Sequence, residues 1–326
     1  MKYVFGPLPS RRLGQSLGID PIPSKTCNWS CVYCQLGRTR PLVDERKEYI
    51  PKEEIVEEVR ETLASHKPGD IDWITFVGSG EPTLHSGLGW MIRQVKAMTD
   101  IPIAVITNGS LLYLPEVRKG LLAADAVLPS LNAGTDALYQ KINRPYHVQT
   151  FDRQVSGLLA FRQEYKGKLW IEVMLIKDLN DTEEALQDLA AVLRQIKPDA
   201  VHIVLPTRPA AESWVKVPDE EGLMRARAIL SGIADVVHPV EGDLDLSGKG
   251  NLIDAVVNII SRHPVRQVEL EKALAKYLPE GQSVSGMLEA LQSSGQAKMI
   301  ERHGTFFWAS PSQFPDDDAG KRVISE

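Results

Sequence analysis

The chain has 326 residues, 43% of them apolar, which is enough to bury a large core and leaves room for one big domain with a small one beside it. Its 37 Lys and Arg stand against 43 Asp and Glu, a formal net charge of −6, so the global balance does not draw the protein to nucleic acid. No apolar run approaches the roughly 18 residues of a membrane span. The opening MKYVFGPLPSRR lacks the order of a secretory signal, so the sequence predicts no membrane association and a cytoplasmic protein with reduced thiols.

From Gln15 to about Val240, short β-branched runs alternate with amphipathic stretches. The predicted strands are SLGID, WITFVG, IAVIT, AVLPSLN, WIEVMLI and VHIVLP, the last four largely continuous apolar runs, as expected of strands covered on both faces. Between the first two lies PKEEIVEEVRETLASH, where Pro51 suits a first helical turn and Ile55, Val59 and Leu63 recur every four residues. Such alternation predicts parallel βαβ units and an α/β fold; on its own it allows either six units of an incomplete barrel or an open doubly wound sheet.

The loop after the first strand holds all three cysteines of the chain, Cys27, Cys31 and Cys34, spaced Cys-x3-Cys-x2-Cys. A disulfide scheme would leave one thiol over and lacks an export signal. A structural zinc needs a fourth ligand at short spacing, and the nearest downstream histidine is His66. Three thiolates can instead hold three irons of a four-iron four-sulfur cube, whose usual fourth cysteine is missing here, leaving one iron open to a non-protein ligand.

Each later motif falls at a strand end, the side where a parallel barrel builds its sites. GSGEP, from Gly78 to Pro82, follows the second strand; its glycines let backbone approach a ligand and Glu81 adds a carboxylate, although a strand-to-helix turn would look the same. ITNGS follows with Thr107, Asn108 and Gly109, which by itself reads as a turn. Ser130 and Asn132 share one face of an otherwise apolar strand and need polar partners. Arg144 in INRPY suits a carboxylate or phosphate. Glu172 in IEVMLIK is costly unless paired, and Met174 beside it reads equally well as core filler. In NDTEE, Asp181 and Glu184 predict a capping box. Arg208 and Glu212 in LPTRPAAESW are weaker candidates for the substrate side. Arg11, Arg12, Lys25, Arg38 and Arg40 surround the cysteine loop with positive charge, and Arg11 and Arg12 are taken as pocket candidates.

Residues 1–240 are thus read as the large domain, 241–250 as a polar linker, 251–310 as a small α+β domain and 311–326 as a disordered tail. The small domain has helices at NLIDAVVNIISRH, VRQVELEKALAKY and VSGMLEALQSSG, then a hairpin AKMIER and TFFWAS turning at His303 and Gly304, a winged-helix-like pattern. It carries six Lys/Arg and six Asp/Glu, with no basic residue on the third helix, which is the wrong footprint for a phosphate backbone. Protein docking or a lid over the site is the favoured use.

SRRLG, CNWSCVYCQLGRT, GEPT, INRP and TRP together resemble the radical S-adenosylmethionine (SAM) superfamily, in its wyosine-synthase-like branch of iron-sulfur oxidoreductases. The resemblance covers most of residues 5–215 and implies an incomplete (β/α)6 TIM-like barrel, followed here by the winged-helix-like domain. It further implies one 4Fe-4S cluster on Cys27, Cys31 and Cys34, with the open iron chelating the amino and carboxylate groups of SAM. Reductive cleavage would then give a 5'-deoxyadenosyl radical for hydrogen abstraction from a substrate, with an electron donor such as flavodoxin or ferredoxin as partner. In the same way it implies cofactor-binding roles for Tyr33, for Gly78, Gly80 and Glu81 (with Ser79 where the motif has its second glycine), for Asn108 near the adenosyl group, for Ser130 and Asn132 at the ribose or methionine carboxylate, and for Met174 at the adenine. This chain lacks the extra cysteines of a second cluster and the flavodoxin-like domain of some relatives in that branch, so the substrate stays open. An RNA base or nucleotide-derived molecule, a peptide or protein partner at the C-terminal domain, and a non-enzymatic iron-sulfur sensor acting on DNA are the three readings carried forward.

Overall fold

A computed structural model describes residues 2–10, 12–233, 235–236, 244–246, 251–279 and 281–314. Eight strands form one sheet in sequence order: β1 (Val4–Ser10), β2 (Gly14–Ile19), β3 (Trp73–Phe76), β4 (Ile103–Thr107), β5 (Ala126–Pro129), β6 (Lys168–Met174), β7 (Ala200–Val204) and β8 (Asp235–Val236). β1 and β2 are antiparallel, and every later neighbouring pair is parallel. The crossovers carry α1 (Lys52–Ser65), α2 (Leu88–Lys96), α3 (Pro115–Leu121), α4 (Asp136–Asn143), α5 (Phe151–Glu164), α6 (Glu183–Ile196) and α7 (Glu220–Ile229).

Strand order decides between the two architectures that alternation leaves open. A doubly wound sheet reverses its order part-way, whereas strictly sequential strands with right-handed crossovers put every helix on one face. The sheet is therefore a singly wound arc of a barrel, with seven parallel strands where six were expected. The seventh, β8, is two residues long and carries little periodic signal. β1 was unforeseen because Pro7 and Pro9 argue against a strand; the sheet tolerates them at its edge, where the pairing with β2 shifts register between Phe5 and Leu8.

Alternation along the strands separates two apolar layers. On β4, Ile103 and Val105 join the helix-facing core with Ile55, Met91 and Phe161. Ala104 and Ile106 point the other way and, with Leu13, Leu128, Trp73 and Trp170, plug the inside of the arc. α4, α5, α6 and α7 each start at a Thr or Asp whose side chain accepts a backbone N–H in the first turn. For α6 that residue is Thr182; the predicted cap, Asp181, instead accepts the N–H of Asp178 at 2.8 Å.

The C-terminal region contains α8 (Leu252–Ile260), β9 (Val265–Arg266), α9 (Gln267–Tyr277), α10 (Val284–Ser293), β10 (Lys298–Arg302) and β11 (Thr305–Ala309), with an antiparallel sheet in the order β10-β11-β9. β9 takes the first two residues of a segment read as wholly helical. His303 and Gly304 have φ of 49° and 75°, both left-handed, as a two-residue I' hairpin requires. The core of this region, including Val256, Ile260, Leu274 and Trp308, is continuous with Phe5 and Leu8 of β1, so it covers the sheet's edge strand. Leu244 and Leu246, the buried part of the predicted linker, pack into the same core; residues 241–243 and 247–250 lie outside the described residues. Of the predicted tail, Pro311–Gln313 forms a 3-10 turn with Gln313 buried, and residues 315–326 lie outside the described residues.

Candidate functional site

The cysteine loop leaves β2 and is laced to its neighbours mainly by backbone. Ser30 N–H donates to Asn143 O and Val32 N–H to Ile142 O at the end of α4, Glu212 N–H reaches Val32 O, and Tyr146 N–H reaches Asn28 O, at 2.7 to 3.1 Å. Trp29 is buried edge-on against Tyr139, ring centroids 5.5 Å apart, which anchors the loop between the first two cysteines. Buried Asn28 donates to Asp44 and Ser110 and accepts from Asn108. Below the loop, Glu212 takes both a bidentate pair from Arg38, at 2.8 Å to each oxygen, and the guanidinium of Arg144. Arg144 thus meets the carboxylate partner its type suggested, and Glu212 braces the loop instead of lining the substrate side.

All three cysteines are free and half-buried. Donors surround two of the sulfurs: Trp29 N–H at 3.4 Å and Asn108 Nδ2 at 3.9 Å from Cys27 Sγ, and Asn143 Nδ2 at 3.6 Å from Cys31 Sγ. Burial pushes the Cys31 thiol up to about 12, with Cys34 adding to it, and pushes Cys27 well above its ordinary value, with Glu81 adding to it. Such thiols ionise when a metal takes them. Among the described residues no three His, Cys, Asp or Glu side chains converge on a single ion, and thiolates that each bind a different corner of a cube need not do so.

The thiols open onto a cavity of ≈ 420 Å³, of small-molecule size, whose walls include Tyr33, Gly78, Ser79, Gly80 and Met174. Gly80 is required there: a side chain would begin 1.9 Å from Thr26 O. Glu81, Asn108, Ser130 and Asn132 do not line this cavity. Glu81 lies beneath it, with Oε1 accepting from Thr83 N–H and from the hydroxyls of Thr83 and Thr107, and Oε2 from Asn108 N–H, at 2.6 to 2.9 Å. Burial raises its pKa against the opposing pull of these donors. Asn132 ties Tyr33 Oη, at 2.8 Å, to the N–H of Met174, at 2.8 Å, and Ser130 gives its carbonyl to Gln154. These four residues join strand ends to one another around the mouth.

Charge collects on the remaining wall. Arg12 lines the cavity and pairs with Glu172 across 2.7 Å, which answers the need of that acidic residue inside a strand; Arg11 lies outside the described residues. Arg208 lines it too and donates to Gln35. Lys25 Nζ is buried with no hydrogen-bond partner among the described residues; burial lowers its pKa while the thiols of Cys34 and Cys27 oppose that. An orphaned cation beside three thiols, under a wall of bare backbone, fits an anionic cluster with a polar ligand.

The profile of the radical SAM superfamily matches residues 22–190, about half of the chain. The chain belongs to the radical SAM superfamily. Its cofactors are therefore a 4Fe-4S cluster and SAM, and enzymes of this superfamily cleave SAM to a radical. A UPF0026 protein of Methanocaldococcus jannaschii is 33% identical over 94% of this chain and 96% of its own length. "GTPase Obg" of Brachyspira hyodysenteriae is 41% identical over 94% of this chain, which spans 45% of that longer protein. A radical SAM methyltransferase from Sphaerobacter thermophilus shares the fold, with a TM-score of 0.53, 20% identity, and coverage of 68% of this chain and 66% of that one.

Sequence reading missed several residues around this candidate site. Asp20, directly after β2, is 4% exposed and accepts from Ser79, and its one sequence signal is an acidic residue closing an apolar strand. Asn28, inside the cysteine motif, was passed over as a spacer. His263 lines the cavity from the C-terminal region, its pKa pulled down to about 3 by burial and by Arg208 and Arg262; nothing near it in sequence points to the cysteines.

Proposed function

We propose that this protein is a radical SAM enzyme whose cluster is held by Cys27, Cys31 and Cys34, with SAM lying against the peptide groups of Gly78, Ser79 and Gly80 and against Tyr33 and Met174. The observation that carries this reading is the single cavity onto which the three thiols and the glycine-rich wall both open. When bound, the cluster and SAM supply reductive S–C5' cleavage and a 5'-deoxyadenosyl radical for hydrogen abstraction. The chain's own residues bind, orient and exclude water. Asn108 and Asn143 point N–H donors at sulfur, which stabilises charge there. Glu81 and Asn132 lock the strand ends so that the mouth is preorganised. Cytoplasmic location and reduction by flavodoxin or ferredoxin belong to the same reading.

For the substrate we favour an RNA base or a nucleotide-derived molecule over a peptide, because Arg208 and Lys25, whose Nζ has no hydrogen-bond partner among the described residues, line the cavity and suit an anionic partner. The C-terminal region we read as a winged-helix-like domain, supported by its order of helix, strand, two helices and two strands. Two of its arginines face the large domain, Arg262 toward Asp20 and Arg302 onto Val215 O, while Arg266 is paired locally with Glu269. That favours a lid over a DNA reader.

The test is anaerobic reconstitution with iron and sulfide, followed by assay for 5'-deoxyadenosine. Wild type should bind about four irons and release 5'-deoxyadenosine on reduction, while Cys31→Ala should lose cluster and cleavage together. Undiminished turnover by Cys31→Ala would defeat the assignment.

A further inference from the structure

The superfamily motif resembled by GSGEP has glycine where this chain has Ser79, and the structure gives that serine a task. Ser79 Oγ donates to Asp20 Oδ2 at 2.6 Å, and Ser79 N–H donates to Oδ1 at 3.1 Å, so one carboxylate grips both the side chain and the backbone. The carbonyl of Ser79 accepts from Lys25 N–H at 2.7 Å, two residues ahead of Cys27. Facing Asp20 is Arg262, from the turn after α8, with Nε 3.3 Å from Oδ2. Burial raises the pKa of Asp20, and the Arg262 charge opposes that.

Arg262 is itself held in place. Its guanidinium donates to Asn258 O at 3.0 Å and Lys2 O at 2.7 Å and lies 5.1 Å over the ring of Phe5. Gln313 Nε2 caps the end of α8 at Ile260 O and Ser261 O, and the carbonyl of Gln313 occupies the place a side chain at Gly37 would take. The turn is therefore linked through Asp20 to the glycine-rich wall and through Gln313 to the cysteine loop.

We propose that Arg262 is a positioning residue for SAM, acting through Asp20 and Ser79, so that the C-terminal domain is a working part of the cofactor site. The inference rests on the reading that SAM lies against Gly78–Gly80. Removing the guanidinium leaves a buried carboxylate without its counter-charge, which is relieved by entry of water or by a shift of the loop it grips. Either change misplaces the peptide groups on the cavity wall. Coupling of this kind is reciprocal, so SAM binding must in turn steady the α8 turn.

The experiment compares anaerobically loaded wild type with Arg262→Ala, Arg262→Lys, Ser79→Ala and the Arg262→Ala/Ser79→Ala double variant, reading iron content, the SAM dissociation constant by equilibrium dialysis, and hydrogen exchange across residues 255–263. Iron should be unchanged throughout. Arg262→Ala and Ser79→Ala should each weaken SAM about tenfold, a coupling of ordinary allosteric size, the double variant should be no worse than either, and Arg262→Lys should recover part of the loss. SAM should slow exchange at residues 255–263 in wild type and not in Ser79→Ala, a readout that holds even if Arg262→Ala loosens the whole domain. Wild-type SAM affinity in Arg262→Ala, additive losses in the double variant, or unchanged slowing in Ser79→Ala would each overturn the coupling while leaving the site reading intact. Wild-type affinity in Gly80→Ala would instead overturn the site reading, and the coupling with it.

Discussion

Two seams hold the cysteine loop, and they use opposite electrostatics. On the inner seam Glu81 is buried with no facing cation among the described residues and is satisfied by four neutral donors that join the ends of β3 and β4. On the outer seam Glu212, also buried but closer to solvent, meets two guanidinium groups that are 35% and 40% exposed. Neutral donors fix geometry without adding charge beside the thiols. The ion triad holds more loosely, because water can replace the carboxylate around its two arginines. The inner seam is thus built for position and the outer for closure.

Breaking the inner seam should have the larger effect. Glu81→Ala leaves the hydroxyls of Thr83 and Thr107 and two backbone N–H groups without their acceptor in a buried place, and should cost about 3 kcal/mol. Urea unfolding of the cluster-free protein measures this, and a loss under about 1 kcal/mol would show that water can take the place of Glu81. Glu212→Ala should cost about 1 to 2 kcal/mol by the same measurement, since its arginines turn to solvent. A larger loss there than at Glu81 would invert the comparison.

The smallest and sharpest effect is one of sign. The folded pKa of Glu81 lies above its ordinary value of 4.5, so the stability linked to it is fully present below that value and is lost as pH rises through the folded pKa. For Glu212 burial pushes upward, but the hydrogen bonds and charges of Arg38 and Arg144 outweigh it and the pKa is lowered. Its contribution is present above 4.5 and is lost as pH falls through the folded pKa. Above pH 4.5 the wild-type advantage over Glu81→Gln should therefore shrink as pH rises, and below pH 4.5 the advantage over Glu212→Gln should shrink as pH falls. Parallel slopes would erase the distinction between the seams.

What the sequence made legible was local. Cysteine spacing needs eight consecutive positions, the hairpin at His303 and Gly304 two, and apolar periodicity about a dozen; each was readable without knowing the fold. The edge strand β1 was hidden because its two prolines contradict local propensity and tertiary position overrides them. Asp20 and Arg262 stand far apart in the chain, and no periodicity links an acidic residue after one strand to a basic residue after a distant helix. The orientation of Glu81 was hidden in another way. Its motif tells that a carboxylate sits at a strand end, but which way it turns depends on Thr107 and Asn108, which arrive from the neighbouring strand.

The contact between Gln313 and Gly37 has a consequence for how the protein is made. The thiols precede Arg144, Glu212, Arg262 and Gln313 in synthesis, the last of these by roughly 15 to 60 s at translation rates of 5 to 20 residues per second. Throughout that interval the nascent thiols lack the walls that shelter them in the finished fold. Iron delivery during that interval would meet an unfinished, oxygen-accessible loop, so cluster loading should follow the docking of Gln313 against Gly37.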